Sequence, residues 1–246
     1  MIRTLAVVAL TATAACAETI VSADYAAPTD RYAHGILGDA IEWGELIITT
    51  DGADQGAVTQ EAVQRTKTYA IRLPLDRVFE DVAPRLADLD SDGTPEVIVV
   101  ETQFSQGAQL AIYDETGKIA ATPHIGRTNR WLAPIGAADL DGDGMVEIAY
   151  IDRPHLAKTL RVWRFINGAL VPVADLPGLT NHRIGESDIG GGIRDCGNGP
   201  EMITANADWT QIMATTLRDG QLTTRVIGGH VDRGSFATAL ACDRLP

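Results

Sequence analysis

An acidic residue leading into a short apolar run recurs along this chain at near-constant spacing. The copies are Glu45-Leu-Ile-Ile, Glu96-Val-Ile-Val-Val, Glu147-Ile-Ala-Tyr-Ile and Glu201-Met-Ile-Thr, separated by 51, 51 and 54 residues. A period in this range marks stacked supersecondary units, each too thin to bury both of its own faces. Two further markers keep the same rhythm. Asp114-Glu-Thr-Gly117, Asn167-Gly168 and Asp219-Gly220 read as hairpin turns, because Asn-Gly and Asp-Gly reach the positive φ angles that tight hairpins require. An Asx-Arg pair recurs as Asp30-Arg31, Asp76-Arg77, Asn129-Arg130 and Asp232-Arg233, and as Asn181-His182-Arg183 with one residue inserted.

Each unit therefore reads as four short strands; in the second unit they fall near 83–89, 96–101, 108–114 and 118–123. Four-stranded units at this period predict an all-β fold, a small β-propeller of four full repeats of about 51 residues. A β-sandwich would need no such period. The segment 55–67 is the one helix candidate, and it aligns with the third strand of the other units. Residues 235–242 read as the first strand of a reduced fifth blade, and 19–25 as an outer strand. The two ends would meet to complete that blade, which leaves the number open between four and five.

The N-terminus reads as a secretory signal over 1–17. Arg3 supplies its positive start, and a short apolar stretch leads to Ala15-Cys16-Ala17. The stretch is too short to span a bilayer. Cys16 also fits a loose lipobox, so a lipid anchor is the alternative to a free periplasmic or secreted protein. Residues 18–246 are expected to form a single propeller domain. Of the three cysteines, Cys196 and Cys242 remain after cleavage, and two cysteines in an exported chain suggest one disulfide. No later segment is apolar enough to span a membrane. The formal net charge of −13 argues against a nucleic-acid partner, which needs a clustered basic face.

Two loops carry the sharpest chemistry. They read Asp88-Leu-Asp90-Ser-Asp92-Gly-Thr94-Pro-Glu96 and Asp139-Leu-Asp141-Gly-Asp143-Gly-Met145-Val-Glu147. Carboxylates at positions 1, 3, 5 and 9, with the backbone carbonyl at position 7 (Thr94 and Met145), form an oxygen shell for a hard cation. An EF-hand loop opens the same way but needs a bidentate Glu at position 12 between helices. Here position 12 is Val99 or Tyr150, and both flanks are β.

These two loops, 51 residues apart between β-strands, resemble the FG-GAP/VCBS repeats of integrin-α-like propellers. The resemblance extends over roughly 30–243 and implies that each loop joins the first two strands of a blade and binds calcium as a structural cofactor. The first and fourth units lack the Asp triplet, so no ligands are carried onto them. The five Asx-Arg elements are expected on the face opposite these loops. There Arg31, Arg77, Arg130, Arg183 and Arg233 either converge as an anion-binding site or pair with acids of neighbouring blades. The histidines show no ligand spacing, and no catalytic residue is assigned. The leading reading is a monomeric, non-enzymatic binding or scaffold protein with a protein or carbohydrate ligand. A propeller hydrolase or lyase with its active site at the channel mouth is the alternative.

Overall fold

A computed structural model describes residues 18–53, 64–229 and 232–245. The leader expected over 1–17, including Cys16, falls outside the described residues, as does most of the 55–67 segment.

The first unit holds β1 (Thr19–Thr29), β2 (Glu42–Ala53) and β3 (Gln64–Arg72). The second holds β4 (Arg77–Phe79), β5 (Arg85–Ala87), β6 (Glu96–Gln103), β7 (Gly107–Asp114) and β8 (Gly117–Ala121). Both β4 and β5 pair with β6, so they are two halves of one interrupted first strand. The third unit runs β9 (Leu132–Ala138), β10 (Glu147–Asp152), β11 (Thr159–Ile166) and β12 (Ala169–Pro177), hydrogen-bonded in sequence order. The fourth has a split first strand, β13 (Leu179–Thr180) and β14 (Gly192–Asp195), then β15 (Pro200–Asn206), β16 (Ile212–Arg218) and β17 (Gln221–Gly228). All pairings are antiparallel. The turn residues Asn167, Gly168, Asp219 and Gly220 all have positive φ, the geometry that matches strand twist in a two-residue hairpin.

Why the units stack follows from alternation in the second strands. Successive side chains of a strand point to opposite faces. Val97 and Val99 join Leu46 and Ile48 of the first unit. Ile98 and Val100 join Ile148 and Tyr150 of the third. Ala149 and Ile151 in turn meet Met202 of the fourth. The second strands of the second and third units, β6 and β10, are thus apolar on both faces because a neighbouring unit covers each. This sequential face-to-face packing is that of propeller blades.

Two expectations about the ends are corrected. Residues 235–242 do not form a strand: Arg233–Leu240 is the helix α1. Asp232 caps it by accepting from the Ser235 backbone N–H, and Ser235 returns a bond to the cap, a reciprocal capping box. Phe236, Ala239 and Leu240 then fall on one helical face and cover Ile203, Ala205, Ile212 and Ala214, the free side of the fourth unit. Gly190 makes room for this, since a Cβ there would lie 2.6 Å from the Phe236 ring. The second correction concerns 19–25. Instead of an outer strand, β1 pairs along β2, taking the place beside it that first strands take elsewhere. Asp30-Arg31 consequently follows the first strand of its unit rather than preceding it.

A group of buried acids lies where the first two units meet. Glu42, Glu80 and Asp81 are all within 1% of full burial. Burial, reinforced by Glu80, Asp39 and Asp81, pushes Glu42 up to about 9. The folded protein therefore holds a proton on Glu42 at neutral pH that the unfolded chain releases. This part of the stability is full below about 4.5 and is lost as pH rises towards 9. Glu42→Gln keeps the shape and removes the titration. Its melting temperature should exceed that of the wild type by more at pH 8 than at pH 5, read by calorimetry at both; an equal offset would contradict it.

Candidate metal centre

Both Asp-rich loops lie between the first and second strands of their units, after β5 and β9. They fold on the same hydrogen-bond skeleton. In the first, the Asp88 carboxylate accepts from the Asp92 and Gly93 backbone N–H groups at 3.1 and 3.0 Å, and Asp90 accepts from Asp92 at 3.3 Å. In the second, Asp139 accepts from Asp143 and Gly144 at 3.1 and 2.9 Å, and Asp141 from Asp143 at 3.3 Å. Position 9 closes each loop: Glu96 accepts from the Leu89 N–H, and Glu147 from that of Leu140, both at 2.8 Å. Position 5 turns back in the same way, with Asp92 accepting from Thr94 N–H and Asp143 from Met145 N–H. Gly93 and Gly144 have positive φ, as the sharp turn at position 6 requires. Position 4 is left-handed as well, with Ser91 at 62° and Gly142 at 81°.

The outcome is two carboxylate clusters, Asp88–Asp90–Glu96 and Asp139–Asp141–Glu147. Each offers one ligand oxygen per residue within 4.8 Å of the others. An all-oxygen set of this kind suits hard divalent cations rather than softer transition metals. Asp92 and Asp143 lie at the open side of each loop, outside these closest groups.

The two clusters differ in what balances their charge. Across β10 and β11, Glu147 is directly opposite Arg164. The Arg164 Nε donates to Glu147 at 2.5 Å, and its guanidinium also reaches Asp143 at 3.0 Å and Asp141 at 3.4 Å. The repeat acids of the first and fourth units are likewise paired, Glu45 with Arg72 at 3.3 Å and Glu201 with Arg194 at 2.9 Å and Arg225 at 2.5 Å. The second unit breaks the pattern. Val97 pairs with Tyr113, so the next position out sets Glu96 opposite Asp114. Burial, with Asp90 and Asp92 nearby, raises Glu96 to about 7. A cavity of about 510 Å³ adjoins this loop, and Glu18, Asp90, Asp92, Glu96, Asp114 and Glu115 all line it. Among the described residues no basic side chain enters the cluster. Arg164 was not singled out from sequence: the Asn167-Gly168 turn sets it opposite Val171 of β12, and its place opposite Glu147 comes from the separate β10–β11 pairing.

The five Asx-Arg arginines are held in different ways. Arg77 pairs with the buried Glu101 of its own unit. Arg31 donates to the Arg77 carbonyl at 3.0 Å. Arg183 lies 4.0 Å above the Trp209 ring and 3.7 Å from Glu186. Arg233 bridges Glu186 and Asp188 at 3.0 and 2.5 Å. Among the described residues Arg130 donates only to the neighbouring Asn129 carbonyl, at 2.8 Å. Cys196 and Cys242 form a disulfide with Cα atoms 5.7 Å apart, tying the end of α1 to the β14–β15 loop. Among the described residues no helix is long and apolar enough to cross a membrane.

The fold and loops define a β-propeller of short repeats carrying acidic inter-strand loops able to hold a metal ion. Residues 85–150, which contain both loops, match the family model described as FG-GAP-like repeat. A solved structure of the exotype rhamnogalacturonan lyase YesX is also similar, with a TM-score of 0.42 and 16% identity over 87% of this chain; the chain spans 49% of that protein's length. No curated protein matches.

Proposed function

We propose that this chain is an exported calcium-binding propeller that acts as a non-enzymatic binding protein of the periplasm or cell exterior. The observation that carries the calcium assignment is the repeated loop skeleton, which brings the carboxylates of positions 1, 3 and 9 together twice. Calcium accepts six to eight oxygen ligands in flexible geometry, which a single loop with a position-7 carbonyl and solvent can complete. Its role is to fix the turn between first and second strands, because all the protein ligands come from that turn. The Cys196–Cys242 bond supports an oxidising compartment. The first loop is the stronger site: among the described residues no basic group competes for its carboxylates, whereas calcium in the second must displace Arg164.

Binding to the folded state alone stabilises by mass action, about 2.7 kcal/mol per site at a hundredfold excess over Kd. For a domain of this size that is roughly 5–11 °C in melting temperature. Calcium-loaded protein should therefore melt several degrees above EDTA-treated protein, and calcium should restore the loss. Superimposable melting curves would overturn the proposal.

A further inference from the structure

Far from the metal loops, at the other end of β9, a cavity of about 290 Å³ opens between the Asx-Arg elements of three units. That volume is at the lower end for small-molecule sites. Its lining combines three kinds of chemistry. Arg130 is its free cation: among the described residues no carboxylate pairs with it. Arg153, also in the lining, differs, since Asp152 holds it at 2.8 and 2.9 Å. Among the described residues no acidic side chain lines the cavity, in a chain with 33 acids and 20 bases.

Two imidazoles of the lining, His155 and His34, supply the second kind, and His182 behind them orients His155. His182 Nε2 lies 2.9 Å from the Glu186 carbonyl, which can only accept, so that nitrogen carries the proton. His182 Nδ1 then accepts from His155 Nε2 at 3.1 Å. Burial keeps His155 neutral, down to about 4, so its Nδ1 is left as a bare acceptor with no partner among the described residues. His34 is fixed differently. Its Nδ1 is 2.5 Å from the fully buried Glu80, which Thr102 also holds, and its Nε2 has no partner among the described residues. The third kind is apolar. Trp131 is buried at the base with its indole N–H on the Glu80 carbonyl at 2.7 Å, while Leu156 and Ile184 stand 62% and 70% exposed at the rim.

We propose that this cavity binds a small hydroxylated carboxylate. Arg130 takes the carboxylate through its planar fork. His155 Nδ1 accepts a hydroxyl proton, His34 Nε2 meets a second hydroxyl, and Leu156 and Ile184 cover the carbon skeleton. The site goes beyond the calcium reading and does not depend on it, since no metal ligand contributes.

The test is titration calorimetry of the calcium-loaded full chain with D-glucuronate and L-lactate, with D-glucose as the uncharged control. Saturable millimolar or tighter binding of either acid, with none for glucose, is expected. Arg130→Ala should weaken that binding at least tenfold and leave the melting temperature unchanged, because the side chain's one bond among the described residues is to its neighbour's carbonyl. In 15N spectra the His155 Nδ1 resonance should move on saturation, a readout that a purely structural arginine would not produce. No binding of either acid, equal binding of glucose, undiminished binding by Arg130→Ala, or an unmoved His155 resonance would each overturn the proposal.

Discussion

Glu101→Ala should be among the most destabilising single substitutions in this protein, costing about 3–5 kcal/mol. Glu101 is fully buried in β6. It accepts from Tyr113 Oη at 2.7 Å and from Lys118 Nζ at 3.0 and 3.1 Å, and it pairs with Arg77. Truncation strands two cations and a buried phenol together. Glu101→Gln would keep the volume and the Tyr113 bond but lose the charge, so a smaller loss is expected. The hydrogen bond from Tyr113 and the pairs with Arg77 and Lys118 outweigh burial and hold this carboxyl below its ordinary value of 4.5. Its contribution is thus present above about 4.5 and lost as pH falls through the lower folded-state value. Chemical denaturation of both variants at pH 7 and pH 4 checks this. The wild-type advantage over Glu101→Ala should shrink at the lower pH, and a constant advantage would count against the network.

Loss of the Cys196–Cys242 bond should be of comparable size. Cross-linking points 46 residues apart removes about 4 kcal/mol of loop entropy from the unfolded chain. For a domain of this size that is roughly 8–16 °C. The bond has a local effect as well, because α1 is short and covers the open face of the fourth unit through Phe236 and Ala239. With both cysteines replaced by serine, hydrogen exchange should rise first in α1 and in β15, which it covers. A double-serine protein that melts with the wild type, or exchanges fastest in the second unit, would show that the helix is held by packing alone.

The array was legible in sequence because its signals are local. Each hairpin carries its own turn residues, and each second strand carries its own apolar run. The loops were legible for the same reason, since every candidate ligand falls within nine positions. What was missed depends on partners distant in the chain. The C-terminal helix has eight residues, so its Phe236, Ala239 and Leu240 face could pass for a strand fragment; the Asp232–Ser235 box was the available sign of a helix. The role of β1 depends on β2, with the 30–41 segment intervening. The cavity draws on His34 of the first unit, Arg130 and His155 of the third and Ile184 of the fourth, and no spacing rule connects them. The competition of Arg164 for the second loop is a matter of strand register, visible only when Glu147 is set opposite it.

In the proposed function calcium occupies the first Asp-rich loop and, less tightly, the second. Calcium titration calorimetry on chelator-stripped protein tests it most directly. Two classes of site are expected: a tighter one lost in Asp90→Asn with Glu96→Gln, and a weaker one that tightens in Arg164→Ala. Wild-type protein that takes up no calcium, or whose tighter site survives the Asp90 and Glu96 substitutions, would contradict it.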